Sequence, residues 1–120
     1  MKVDLKRVPV VFYRAKVERE PVREWLKELD DRDRGVIGQD LKTLEFGWPI
    51  GMPLCKALSK GFWEIRSRLP QNRIARVIFC IHAQQLVVLH GFIKKTPKIL
   101  ARDLELARQR QKEIEHEKEK

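Results

Sequence analysis

A chain of 120 residues, 42% of them apolar, is long enough for one core and too apolar for a disordered polymer. No apolar run reaches the roughly 18 to 20 residues of a membrane span, and Met1-Lys2-Val3-Asp4 opens no signal-peptide core, so a single cytoplasmic domain over residues 1–120 is expected. The formal net charge of +9 is concentrated: residues 56–98 hold nine Lys/Arg against one acid, Glu64, whereas eleven basic residues face ten acids before them and six face six after.

Taken in chain order, residues 8–14 (VPVVFYR) are apolar and β-branched and predict a first strand, with Pro9 favouring an edge or a strand beginning. Pro21 then opens a helix whose Val22, Trp25, Leu26 and Leu29 recur at i, i+3, i+4 and i+7. After the acidic break at residues 30–33, Val36, Ile37, Leu41 and Leu44 continue helical spacing until Gly47-Trp48-Pro49, giving a helical hairpin. Residues 47–53 contain two Gly and two Pro and read as a loop. Three apolar runs follow, GFWEIRSRL, RIARVIFCIH and LVVLHGFI, separated by Pro70-Gln71-Asn72 and Ala83-Gln84-Gln85, which suits an antiparallel meander. Thr96-Pro97 supplies an N-cap and N1 pair for a last helix burying Leu100, Leu104 and Ala107, while residues 113–120 are nearly all charged and predict a solvated extension. The fold class is therefore α+β.

Alternation within the strands puts Trp63, Ile65, Val77, Phe79, Ile81, Val87 and Leu89 towards the helices. The opposite face then carries Glu64, Arg66, Arg68, Arg76, Ile78, Cys80, His82, Val88, His90 and Phe92, with Arg66 across from Arg76 if the turns centre on Gln71 and Gln84. Like charges directly opposite one another destabilise a sheet unless an anion or carboxylate lies between them. Two readings of the face compete at this point: a solvated surface partly neutralised by Glu64, and a cradle for a polyanion, nucleic acid being the first candidate. Lys94 and Lys95 add cations where the last strand meets the last helix. Cys55 and Cys80 have no CxxC partner, and neither metal-ligand spacing nor a phosphate-binding Gly loop is present, so no metal, cofactor or disulfide is expected.

Three blocks, FWEIR (residues 62–66), RIARVIF (73–79) and LVVLHGFIKKTPK (86–98), followed by a helix containing ELARQR (105–110), resemble in order and spacing the phage-derived, HigB-like branch of the RelE/ParE superfamily. These are the toxin halves of type II toxin–antitoxin modules. The resemblance implies an N-terminal strand and helical hairpin packed on an antiparallel meander, with a C-terminal helix. It also implies a ribosome-dependent, metal-independent mRNA interferase, an endoribonuclease that inhibits translation. Its partners would be mRNA, the ribosome and a cognate antitoxin, usually a helix-turn-helix HigA-like protein.

Cleavage of RNA without a metal needs a deprotonated ribose 2′-OH, a cationic cradle for the phosphorane and an acid for the departing 5′-oxygen. By the resemblance, Arg66 and Arg76 suit the cradle, and His90, Lys94 or Lys95 could move protons or hold substrate, with Arg66, Arg76, His90 and Lys95 the catalytic candidates. Lys56, Lys60, Arg68, Arg73, Phe92, Lys94 and Lys98 are the candidates for RNA binding. Related toxins often place a C-terminal Tyr or His near the scissile phosphate, whereas the only tyrosine here is Tyr13, in the first strand. Two alternatives stand beside the interferase: a ParE-like toxin that poisons gyrase, and a noncatalytic basic RNA-binding phage accessory protein.

Overall fold

The computed structural model describes residues 8–15, 19–58, 61–94 and 101–118. Strand β1 (Val10–Phe12) leads into α1 (Pro21–Glu28) and α2 (Asp31–Gly47), then β2 (Cys55–Ala57), β3 (Phe62–Leu69), β4 (Arg73–His82), β5 (Gln85–Lys94) and α3 (Ala101–Lys118). The α+β architecture is the one expected. The five strands lie in the order β1-β5-β4-β3-β2, antiparallel except for the β1–β5 pair, so β1 is an edge strand as Pro9 suggested.

Local chemistry explains the helix boundaries. Pro21 occupies the first turn of α1, where its missing N–H is no loss. The side chain of Asp30 accepts from the Asp33 amide at 2.8 Å and caps α2. The predicted helix start at Thr96-Pro97, with Leu100, lies outside the described residues. At the far end, the segment expected to project is helical to Lys118, and Glu113 accepts a 2.6 Å hydrogen bond from the Tyr13 hydroxyl while Ile114 packs inward.

The sheet has a core on each face. On one side α1 and α2 cover Ile65, Val77, Phe79, Leu86 and Val88, with Trp48 set edge-on to Trp63 (4.9 Å) and Phe79 (5.5 Å). On the other, α3 lays Leu104, Ala107 and Ile114 over Phe62, Ile78, Cys80, Val87 and Leu89. Burial pushes the thiols of Cys55 and Cys80 up to about 11, and both cysteines are free.

Two expectations about side-chain direction are corrected. The register shifts between Ile78 and Phe79: Ile78 pairs with His90, and Phe79 with Val88. Leu89 is the extra residue of this bulge, so Val87 and Leu89 face α3 and Val88 joins the α1/α2 core, the reverse of simple alternation. Ile81, near the sheet end, is 50% exposed rather than core.

The β4–β5 turn is strained. Ala83 (φ 52°) and Gln84 (φ 62°) connect paired His82 and Gln85, a two-residue hairpin with both central residues left-handed. Such a conformation costs a residue with a Cβ about 1–2 kcal/mol. Gln84→Gly is expected to stabilise the protein by about 0.5–1 kcal/mol after the greater chain entropy of glycine is set against it, measurable by urea unfolding.

Candidate functional site

Strand pairing sorts the basic residues into rows across the α3 side of the sheet. Lys56, Glu64, Ile78 and His90 form one row, Arg66, Arg76 and Phe92 the next, and Arg68, Ile74 and Lys94 the third. Arg66 does lie directly across from Arg76. What lies between the like charges is Glu64: its Oε1 accepts from Arg76 Nη1 at 2.9 Å and sits 3.8 Å from Arg66 Nε. One carboxylate thus serves two guanidinium groups.

Their exposures differ sharply. Arg76 is 1% exposed and Glu64 is equally buried, whereas the Arg66 side chain is 25% exposed and Arg68 is exposed. Arg66 and Arg68 open into a shallow depression of about 280 Å³ with Val36, Asp40, Pro53 and Leu54. Arg76 Nε and Nη2 and Glu64 Oε2 are buried with no hydrogen-bond partner among the described residues. Groups of this kind cost several kcal/mol to bury unpaired. The ion pair is therefore an inefficient way to hold β3 to β4, a job the backbone ladder already does.

His90 lies two strands from Glu64 in the same row, roughly 10 Å away at the usual strand spacing. Its Nε2 is 2.9 Å from Asp103 Oδ1 in the first turns of α3, and its ring lies 5.4 Å from that of Phe92, which is buried. A carboxylate on one imidazole nitrogen fixes the orientation of the ring. Farther along α3, Arg110 donates to the Leu89 carbonyl at 2.7 Å and lies over the Tyr13 ring at 5.2 Å. Desolvation lowers the pKa of Arg110, opposed by its attraction to Tyr13 and Glu113. Tyr13, though distant in sequence, reaches the underside of α3 and not the Arg66–Glu64–Arg76 cluster.

Not every predicted contact residue joins this face. Arg73 points the other way: Nη1 and Nη2 donate to both oxygens of Asp33 at 2.8 and 2.9 Å, and Nε to the Pro70 carbonyl at 3.1 Å. The hydrogen bonds to Asp33 raise its pKa, and the fork ties the start of β4 to the first turn of α2. Lys56 is exposed on the edge strand β2. Lys60, Lys95 and Lys98 lie outside the described residues, and of Lys94 the backbone alone is described. Asp103 carried no signal in the sequence beyond its place in a charged helix, and Glu64 was legible only as a neutralising charge.

Among the described residues, no group of His, Cys, Asp and Glu is arranged to hold a metal ion, and no helix is long and apolar enough to cross a membrane. No curated protein matches the chain. Residues 24–112, from the middle of α1 to the last turns of α3 and so including every residue of the basic rows, match the family described as phage-derived protein Gp49-like (DUF891). With that match over most of its length, the chain belongs to the Gp49-like family, a family of RelE-like toxins of toxin–antitoxin modules.

Proposed function

We propose that this protein is the HigB-like toxin of a type II module and acts as a ribosome-dependent, metal-independent mRNA interferase. The observation that carries the reading is the pair of guanidinium groups sharing one carboxylate, with two buried donors of Arg76 unpartnered among the described residues. The cluster keeps a net positive charge, and its Arg66 lines a depression together with Arg68. Charge of that sign suits the phosphorane formed when a ribose 2′-OH attacks the adjacent phosphate. Arg66, Arg68 and Lys56 contact the RNA backbone, and Arg76 acts from beneath by holding Glu64 and adding its field. His90, oriented by Asp103, and Lys95 are the groups that hold or move protons, while the ribosome supplies substrate alignment. A helix-turn-helix antitoxin of the HigA type restrains the toxin.

Arg66→Ala tests this with little risk to the fold, because the side chain is part-exposed and Arg76 retains Glu64. On induction without the antitoxin, wild type should arrest growth and generate new mRNA 5′ ends. Arg66→Ala should reduce those ends by about 10²–10³-fold, the effect of removing one transition-state donor. Arrest without new ends would replace this reading with a ParE-like attack on gyrase. Absence of arrest, together with graded, salt-dependent RNA affinity, would replace it with a binding-only protein.

A further inference from the structure

On the side of the molecule away from the basic rows, a groove of about 360 Å³ runs between β1 and the helical hairpin. Its floor is Val10, Phe12, Leu26 and Leu41, and Arg23, Lys27, Arg34 and Lys42 stand along it with Glu45. The groove follows a strand edge. At the two ends of β1 the bonds to β5 are the Pro9 carbonyl accepting from Leu86 N and the Tyr13 amide donating to Val88 O, each at 2.9 Å. Alternation therefore turns the amides and carbonyls of Val10 and Phe12 outward. The Val10 amide confirms the direction, since it donates to Glu45 Oε2 of α2 at 2.8 Å. Glu45 closes that one position, and among the described residues nothing pairs with the Phe12 amide and carbonyl on this edge.

We infer that this edge and groove form a docking site for an extended acidic segment of a partner protein, which adds as a strand beside β1 and places alternate apolar side chains on the floor. Charge supplies the first argument. Arg23 is paired with Glu20 and stacked over Phe12 at 4.6 Å, and Arg34 is paired with Asp31, whereas Lys27 and Lys42 make no ion pair among the described residues. Gly38 supplies the second. It lies in the interior of α2 with nothing within 4 Å of the position of a Cβ, so no contact inside the chain requires glycine there, and its lack of a side chain keeps the groove open. A second copy of this chain would bring two basic rims face to face. A nucleic acid would find apolar floor and backbone amides where it needs phosphate contacts; the alternating donor and acceptor of a strand edge match a peptide backbone.

The probe is a short labelled peptide alternating Glu with Val or Leu, with a Lys-for-Glu counterpart as control, titrated by fluorescence anisotropy into the full chain. The Glu peptide should bind in preference to the Lys peptide, and its binding should slow hydrogen exchange at the Phe12 amide. Gly38→Leu fills the groove while favouring the helix, so it should melt no lower than wild type yet weaken the peptide by about tenfold or more. Lys27→Glu/Lys42→Glu should reverse the preference between the peptides. Equal binding of the two peptides, indifference to Gly38→Leu or an unchanged Phe12 amide would overturn the inference. So would self-association in the absence of peptide that Gly38→Leu abolishes, which would assign the edge to a second copy. Displacement of the peptide by single-stranded RNA whose binding is lost in the lysine reversal but kept in Gly38→Leu would assign the rim to nucleic acid. None of these outcomes depends on mRNA cleavage.

Discussion

Arg76→Met is expected to lower the free energy of unfolding by about 3–5 kcal/mol, because it strands the Glu64 carboxylate in a buried layer. The loss should not appear when both partners are replaced. Glu64→Leu/Arg76→Met removes a pair that leaves Arg76 Nε, Arg76 Nη2 and Glu64 Oε2 without partners among the described residues, so its stability should equal or exceed that of wild type. Urea unfolding of the two single variants and the double variant gives the coupling energy directly. The same set separates the two roles of Arg76. A double variant that folds as well as wild type but cleaves no mRNA would assign the arginine to function. Restored toxicity in that variant would remove it from the site. Arg76→Ala alone does not make this distinction, since its loss of toxicity would follow from unfolding.

Gly91→Ala is expected to cost about 1–3 kcal/mol through overpacking, a large effect for one methyl group in a strand. A Cβ at Gly91 would lie 2.5 Å from Cζ3 of Trp25 and within 3.1 Å of two further ring atoms. The indole of α1 is seated on the backbone of β5, and it is a rigid ring rather than the far end of a flexible chain. Gly91→Ala/Trp25→Leu should recover much of the loss, because the smaller side chain vacates the volume the new methyl needs. Thermal melts of the three variants check this. Full additivity of the two single effects would show that the ring does not meet residue 91.

The helices were legible because their boundaries are written in local chemistry: Pro21 at N1, the acidic break at residues 30–33, within which the structure shows Asp30 to be the cap, and the Gly47-Trp48-Pro49 stop. The meander and the Arg66–Arg76 juxtaposition were legible from two turns and a period of two. The bulge at Leu89 was not, since LVVLHGFI is apolar at nearly every position and a one-residue slip leaves no trace in such a run. Three-residue β2 is too short to show alternation. The apolar stripe of α3 was legible at Leu104 and Ala107, but not the sheet face it covers, because a helix that follows the last strand can pack on either side. The split of the predicted cradle into a buried Arg76 and a part-exposed Arg66 was not legible either, since both occupy the same face and the same row. Arg73 looked like one more cation of the patch, because its partner Asp33 stands 40 residues earlier and only the tertiary fold brings them together.

The parallel pairing of β1 with β5 also bears on when the protein becomes a protein. Residues 10–12 find their partners at 86–88, and Tyr13 finds Glu113 a hundred residues later. Contacts of such separation carry a loop-closure cost that local hairpins do not, and they place the completed sheet late in folding. During synthesis β1 cannot meet its partner until β5 has left the exit tunnel, and α3 closes over its face of the sheet later still. The surface that β1, β5 and α3 share is therefore assembled from both ends of the described chain, and no fragment ending before β5 can form it.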